Sequence, residues 1–479
     1  MAHADVVVVG AGTSGATLAS RLSDDPDRSV LLLEAGPDYP DEAVDPPALV
    51  VGGNLIGGSF AGVGSAVPEH DWGYYGQPLN GGRRVHLWRG RLVGGTSMIN
   101  GCIAVRAKPS DFDAWEAAGA AGWGWRDVEP CFEAVEREVP IKRYPRTRWQ
   151  PFQMAFVDGL VELGFLEVAD INAPDAWDGV TGAWPQNRRN EIRQGALMTY
   201  VRRARDRPNF AIVDRAIADR VTISGGRATG VRYVRDGEAG EIEAELVVLA
   251  GGAYGSPAIL LRSGIGPADD LRALGVEVEA DLPVGRGLRD HPQTLFQFEV
   301  PPALAEMAGP GLAVVGRGDG WWAFPLSLDE ETGMCAIAVA LTSQEPQGTV
   351  TLASLDPDAP PLIDHRSQEV IDRGDFASAW GDIKELCATS TFRELGVQRG
   401  DLEQPLEDTL RERLGTAFHP ACSCAIGSVV DERLRVLGIE GLRVADASVF
   451  PSNVTNNTNL TCFMVGERAA ALIDEDTGP

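Results

Sequence analysis

The feature that most constrains this chain sits between Asp5 and Glu34. A β-branched run from Asp5 to Val9 has the pattern of a buried parallel strand and leads directly into Gly10-Ala11-Gly12-Thr13-Ser14-Gly15. A helical pattern from Thr17 to Leu22 follows, then a second apolar strand from Val30 to Leu33 that ends in Glu34. In the order strand, glycine turn, helix, strand, acid, a GxGxxG motif reads as a dinucleotide-binding unit; without that order it is weak evidence. Gly10 permits the tight turn, Gly12 lets backbone N–H groups approach a pyrophosphate, and Gly15 lets helix and strand pack closely. The helix N-terminus offers partial positive charge to the phosphates, and Glu34 can accept from ribose hydroxyls. An acid there disfavours a 2′-phosphate, so the motif points to FAD or NAD rather than NADP and leaves those two open. The competing reading is a glycine-rich turn that binds nothing.

The chain is far longer than this unit. Its 479 residues suggest two or three domains and a large core. Lys and Arg number 42 against 69 Asp and Glu, a net charge of −27 that repels a phosphate backbone, so neither nucleic acid nor an anionic membrane is expected as a partner. No apolar run approaches the roughly 18 residues of a membrane span, and the start lacks a secretory pattern. Seven cysteines, an odd number spread along the chain, read as reduced thiols in a cytoplasmic protein. Cys422 and Cys424 are too close for the usual metal pair, and no other spacing suggests a metal.

Other segments carry weaker signals. The stretch from Trp88 to Arg106 places Gly94 and Gly95 beside Arg89 and Arg91, suited to a second backbone approach to an anionic cofactor or, equally, to a solvated surface loop. Leu246 to Ala250 reads as a buried strand. Ser256 and Pro257 then read as the N-cap and first turn of a helix that Gly264 closes. Residues 299–330 are rich in Pro, Gly and Trp and non-periodic, as a pocket-lining or lid segment would be. Near the end, Phe418-His419-Pro420 sits among small residues, and Gly441 to Pro451 resembles a strand running into a turn. Asn453, Asn456, Asn457 and Asn459 precede an apolar helix from Leu460 to about Ile473. Asn459 is the natural N-cap, and four asparagines exceed what one cap requires. A lone histidine such as His419 is, on its own, more often structural than catalytic.

Taken together, these blocks resemble the glucose–methanol–choline (GMC) oxidoreductases, FAD-dependent flavoenzymes that oxidise alcohols. The resemblance covers nearly the whole chain and rests on four blocks in order: GAGTSGATLASRLSDDP with LLLEAG; GRLVGGTSMINGCIAVR with DFDAW and GAAGWGW; GGAYGSPAILLRSGIGP with PVGRGLRDHP; and HPACSCAIG with GLRVADASVFP and NNTNLTCFMVGERAA. It implies an α/β plus α+β fold, with a Rossmann-like, p-hydroxybenzoate-hydroxylase-like FAD domain (about 1–150, 190–298 and 417–479). An antiparallel-sheet substrate cap is expected from about 151–189 and 299–416. The chain is shorter than many members, and the loss falls in the cap.

What the resemblance implies for chemistry falls on two positions, His419 and Asn457, with Asn456 as the alternative to the second. His419 would accept the hydroxyl proton, Asn457 would donate to the developing alkoxide, and a hydride would pass to flavin N5. The helix beginning near Leu460 would aim its positive end at the flavin. FAD contacts are implied for Gly10, Gly12, Thr13, Ser14, Gly15, Glu34, Ala35, Arg91, Val93, Gly94, Gly95, Thr96, Asn100, Gly101, Ile103, Ala218, Asp446, Ala447, Asn457 and Thr458. Some members attach FAD through a histidine in the second glycine loop; Ile99 stands there, so non-covalent FAD is expected. Phe418, before the catalytic histidine, hints at a partly hydrophobic alcohol. His291 is expected to be structural, and His3, His70, His86 and His365 exposed or simply packed. The leading expectation is an alcohol oxidase or dehydrogenase, passing electrons to oxygen, a quinone or a mycofactocin-type acceptor. A hydroxynitrile-lyase-like or photoenzyme activity on the same scaffold, and a flavin-binding electron carrier, are the other two readings.

Overall fold

The structure, a computed structural model, describes residues 2–40, 70–301, 310–329, 333–342, 346–397 and 400–477. Its first sheet grows around the strand Ala2–Val9, which pairs in parallel with Val30–Leu33 on one side and with Glu238–Leu249 on the other. Phe210–Val213 joins beyond Val30–Leu33, also in parallel. The strand Glu238–Leu249 changes character along its length. Glu241, Glu243 and Glu245 are exposed while Ile242 and Ala244 are buried, so this half alternates and pairs antiparallel with Arg227–Arg235, which pairs with Ala216–Ser224. Val247 to Leu249 are buried on both faces and lie between Ala2–Val9 and Leu442–Val444, in parallel. The switch from period two to a continuous apolar run marks where the sheet becomes covered on both sides.

Helix Thr13–Leu22 covers one face and meets the last helix, Asn459–Thr477, at very close range. A Cβ on Gly466 would lie 2.6 Å from the Ser14 carbonyl oxygen, and Ser14 donates its hydroxyl to the Cys462 carbonyl at 2.7 Å. Three helix starts differ from the sequence expectation. The first helix begins inside the glycine motif, because Gly15 is itself helical and its missing side chain lets the first turn sit on the Gly10 carbonyl. The helix expected from Ser256 begins at Gly252, so Pro257 is internal. Proline removes one N–H and frees the Ala253 carbonyl, which instead accepts the Ser423 hydroxyl at 2.7 Å. At the last helix the Thr458 carbonyl accepts the first helical bond, from Cys462 at 2.8 Å, so Asn459 lies one residue inside the cap position expected for it.

The second sheet runs in the order Gly415–Thr416, Pro292–Glu299, Met334–Leu341, Trp321–Asp329, Val314–Gly318, Val180–Ala183 and Leu166–Val168, antiparallel except for the last pair. Trp321 and Ala323 point to one face and pack with Phe152, Phe156 and Ile383 of the covering helices. Trp322 and Phe324 point to the other face, with Trp184, Leu312 and Ala417. Alternation along one strand therefore serves two separate cores. Of the stretch 299–330 read as irregular, 302–309 and 330 lie outside the described residues; Val314–Gly318 and Trp321–Asp329 are paired strands, while Leu312, Trp322 and Phe324 do line a cavity. Among the described residues no helix is long and apolar enough to cross a membrane.

Candidate active site

Between the two sheets runs a continuous cavity from the glycine motif to His419. At its first end, backbone takes the place of side chains. Gly10 has φ +102°, and a Cβ there would stand 2.5 Å from the Ala250 carbonyl oxygen. A Cβ on Gly15 would stand 2.0 Å from the Gly10 carbonyl oxygen. The second glycine loop presses on the first: Gly94 donates its N–H to the Ala11 carbonyl at 2.7 Å, and a Cβ on Gly95 would lie 2.7 Å from Gly12 Cα. Glu34 ties this end together, accepting from the Ala11 N–H at 2.9 Å and the Gly36 N–H at 2.8 Å. Burial pushes its carboxyl up to about 7, against the pull of those backbone donors.

The structure brings most of the expected cofactor residues to the cavity wall: Gly10, Gly12, Thr13, Ser14, Glu34, Ala35, Gly95, Thr96, Asn100, Gly101, Ile103, Ala218, Asp446, Ala447, Asn457 and Thr458. Gly15, Val93, Gly94 and Arg91 stand outside it. Gly15 packs the helix, Val93 and Gly94 support the second loop from behind, and Arg91 lies over the Trp72 ring at 4.8 Å facing Asp358. Arg89, which the sequence reading did not single out as a contact, does line the cavity. A group as long as FAD fits these residues. The wall is bare backbone where phosphates would pass, and a Cβ on Gly12 would meet only the Ala250 oxygen, at 4.0 Å, and so project into open space. Asp446 accepts from Gly252 N–H (2.9 Å), Ser256 hydroxyl (2.5 Å) and Ser448 N–H (2.8 Å), joining its own turn to the helix Gly252–Arg262.

At the other end stands His419, 7% exposed. Its Nε2 lies 3.0 Å from Asn457 Nδ2, with the amide nitrogen turned to the ring. Asn457 therefore faces His419; Asn456, buried nearby, does not line the cavity. Phe418 lines the cavity in the left-handed region at φ +64°, costly for an aromatic residue and worth a structural reason. That reason is a set of hydrogen bonds around it. Phe418 N–H donates to Thr416 Oγ1 at 2.9 Å, and its carbonyl accepts from Arg89 at 2.6 Å. Asp290 Oδ1 accepts the backbone N–H groups of both His419 (2.8 Å) and His291 (2.7 Å), while its Oδ2 takes the Thr416 hydroxyl. Asn453 Nδ2 donates to the His419 carbonyl at 3.1 Å.

His291, expected to be structural, touches His419 directly, Nδ1 to Nδ1 at 3.0 Å with the rings 79° apart. His365, expected to be exposed or simply packed, is partly buried beside Asp290 (3.5 Å) and the Tyr254 hydroxyl (2.8 Å). Burial, and after it the neighbouring His291 and Arg89, hold the His419 imidazole well below the ordinary histidine range. Opposite His419 the wall is aromatic: Trp184 and Phe324 centroids are 4.7 Å apart, Trp322 and Phe324 stack at 5.8 Å, and Trp322 lies 5.9 Å from the His419 ring. Gln293, Leu312 and Ala417 complete this end. The only signal for this wall in the sequence was its tryptophan content.

The N-terminal profile of the GMC oxidoreductase family matches residues 4–293, and its C-terminal profile matches 344–466. The chain is 30% identical to the oxygen-dependent choline dehydrogenase of Sinorhizobium medicae over 98% of this chain and 95% of the relative. It is 32% identical to that of Ectopseudomonas mendocina over 97% and 93%. Among solved structures, pyridoxine 4-oxidase from Mesorbium loti superposes with a TM-score of 0.86 at 25% identity, covering 98% of each chain. Formate oxidase of Aspergillus oryzae, at 23% identity and a TM-score of 0.87 over 99% of each chain, shares the fold.

Proposed function

The chain belongs to the GMC oxidoreductase family and is an FAD-dependent oxidoreductase of alcohols, and on that premise we propose that it oxidises a CH–OH group to an aldehyde or ketone with His419 as proton acceptor and Asn457 as its partner. The observation that carries the reading is the 3.0 Å approach of His419 Nε2 and Asn457 Nδ2 in the cavity wall. FAD, when bound, supplies the acceptor for the hydride that leaves the substrate carbon. His419, neutral because it is buried, takes the hydroxyl proton at Nε2. The Asn457 amide donates to the substrate oxygen as negative charge gathers there. Thr458, Asn459 and Cys462 bring the start of the helix Asn459–Thr477 to the cavity, where its partial positive end favours negative charge. The aromatic wall keeps water from the reacting carbon.

The substrate end favours an alcohol with an apolar or aromatic group, because Trp184, Trp322 and Phe324 offer ring surface there. Replacing Trp322 with phenylalanine keeps the sheet filled and removes part of the ring contact. It is expected to raise KM for an aryl alcohol about fivefold, the scale of ~1 kcal/mol of aromatic contact, with kcat within about twofold. An unchanged KM removes Trp322 from the substrate site.

The proposal includes non-covalent FAD, supported by Ile99 lining the cavity where a linking histidine would stand. Acid precipitation is expected to release the yellow colour into the supernatant; colour held in the pellet refutes that part. It includes a cytoplasmic setting too, supported by seven cysteines without a disulfide. The deciding experiment is an anaerobic screen of primary, secondary and aryl alcohols for bleaching of the flavin, followed by oxygen or an artificial acceptor. Bleaching followed by recovery with one acceptor supports the oxidation and identifies where the electrons go. Turnover of a substrate with the oxidised spectrum unchanged would establish the lyase reading instead.

A further inference from the structure

We propose that His291 is a positioning residue that holds His419 in the tautomer carrying its proton on Nδ1, so that the Nε2 lone pair, which the Asn457 N–H faces in the absence of substrate, is the one that takes the substrate proton. The proposal rests on the reading of His419 as proton acceptor and deepens it. It starts from the contact between two like atoms, the Nδ1 nitrogens of His291 and His419, 3.0 Å apart and both deeply buried. Two N–H groups at that distance repel, and so do two lone pairs. In a neutral pair one proton therefore lies between the rings, and the ring that carries it has a bare Nε2.

The far side of His419 selects the owner. Asn457 presents its amide nitrogen to Nε2 at 3.0 Å, so Nε2 must be the acceptor and the proton must sit on His419 Nδ1. Were the proton on His291 Nδ1, the Nε2–H of His419 would point at the amide N–H groups of Asn457. His291 then accepts at Nδ1 and carries its own proton on Nε2, which lies buried without a full hydrogen bond on a ring faced by the Val454 backbone.

Placement of the two rings is built, not incidental. One carboxylate oxygen of Asp290 binds the backbone N–H of each histidine, and the Ala417 N–H donates to the His291 carbonyl at 2.9 Å. Two residues on either side, Arg289 and Ala421 exchange both backbone bonds, at 3.1 and 2.9 Å. The charged and titratable groups around the pair are Asp290 with His365 behind it, and Arg89 through the Phe418 carbonyl. When Nε2 takes a proton, the Nδ1–H of the imidazolium remains bonded to His291, which accepts a charge-assisted hydrogen bond. Fixing the tautomer and supporting the cation is the work a carboxylate does for histidine in hydrolytic triads. Here a neutral ring does it.

The test compares two variants that fill the same space, in the FAD-loaded protein. Asparagine can place Oδ1 near the position of Nδ1 and accept the same bond; phenylalanine cannot. His291→Phe is expected to slow anaerobic flavin reduction about 10- to 100-fold, the range of lost partners behind a reactive group, with KM changed less than about twofold. His291→Asn is expected to stay within about fivefold of the parent. In protein labelled with 15N-histidine, the His419 signals, assigned through His419→Ala, should show a protonated Nδ1 and a bare Nε2, and a tautomer mixture in His291→Phe. Wild-type reduction by His291→Phe, or a His419 proton found on Nε2 in the parent, overturns the role of His291 while leaving His419 as base. Unchanged reduction in His419→Ala overturns both.

Discussion

Replacing His419 with alanine is expected to slow the reduction of bound FAD by alcohol at least about a hundredfold, the usual scale for a lost general base, while the protein stays yellow. The two halves of that expectation come from different parts of the cavity. The proposed cofactor end of the cavity is lined by Gly10, Gly12, Thr13, Ser14, Glu34, Gly95 and Asp446, none of which His419 bonds. At the reacting end the described lining offers no other group suited to remove a hydroxyl proton: Gln293 is neutral and bonds through an amide, and Asn457 donates. The pH dependence follows from the same burial. A lowered histidine pKa means the neutral, proton-accepting form persists to lower pH. Reduction should therefore be flat from pH 8 down past the ordinary histidine value of about 6.5 and fall only below it. In His419→Ala that acid limb disappears. Reduction at the parental rate, or a parental limb at or above about 6.5, defeats the assignment.

How much of this was legible in the sequence depends on how far apart the interacting residues lie. The unit from Asp5 to Glu34 was readable because every contact that defines it is local: valines that must be covered on both faces, a turn only glycine fits, and an acid at the end of the next strand. Even there, the helix start moved by four residues, because a glycine inside a helix looks like a turn unless the close approach to the Gly10 carbonyl is known. Asp446 was placed at the cavity by likeness to a family, whereas its role as a clamp on Gly252 and Ser256 depends on packing across 190 residues or more of chain.

The reacting end was less legible for the same reason. His419 and Asn457 are 38 residues apart, and His291 is 128 residues from His419. Nothing in the local pattern of Asp290-His291-Pro292 says that the Asp290 carboxylate bridges two backbones, so the imidazole read as filler. The aromatic wall was hidden by its own composition. Trp321 and Trp322 stand side by side with Pro325 nearby, which reads as irregular chain. In the sheet the two tryptophans point to opposite faces, and pairing with Val314–Gly318 ends at Ala323, leaving Pro325 past the end of that ladder.

A second large effect is expected from one added methyl group, Gly15→Ala. Its Cβ would lie 2.0 Å from the Gly10 carbonyl oxygen and 2.9 Å from the Ala250 Cβ. Neither neighbour is free to retreat. Gly10 is bonded through its N–H to the Leu33 carbonyl at 2.8 Å, and Ala250 to the Val9 carbonyl at 2.7 Å. The helix cannot back away either, because Ser14 is held against the last helix where a Cβ on Gly466 would already stand 2.6 Å from its carbonyl oxygen. Overpacking a well-filled site costs about 1–3 kcal/mol, and more where the obstacle is backbone. About 3 kcal/mol spent on the geometry of the phosphate loop weakens FAD at least about a hundredfold. The protein should purify largely colourless and regain little absorbance with added FAD. Gly381→Ala is the matched control: it lies in the helix Ala377–Cys387, its Cβ would meet nothing within 4 Å, and ordered helix favours alanine by roughly 0.5–1 kcal/mol. The same chemical change should thus leave colour and melting temperature intact or slightly raised at 381 and weaken FAD binding at least about a hundredfold at 15. A Gly15→Ala protein that binds FAD as tightly as its parent would show that the glycine is not there to let the helix approach.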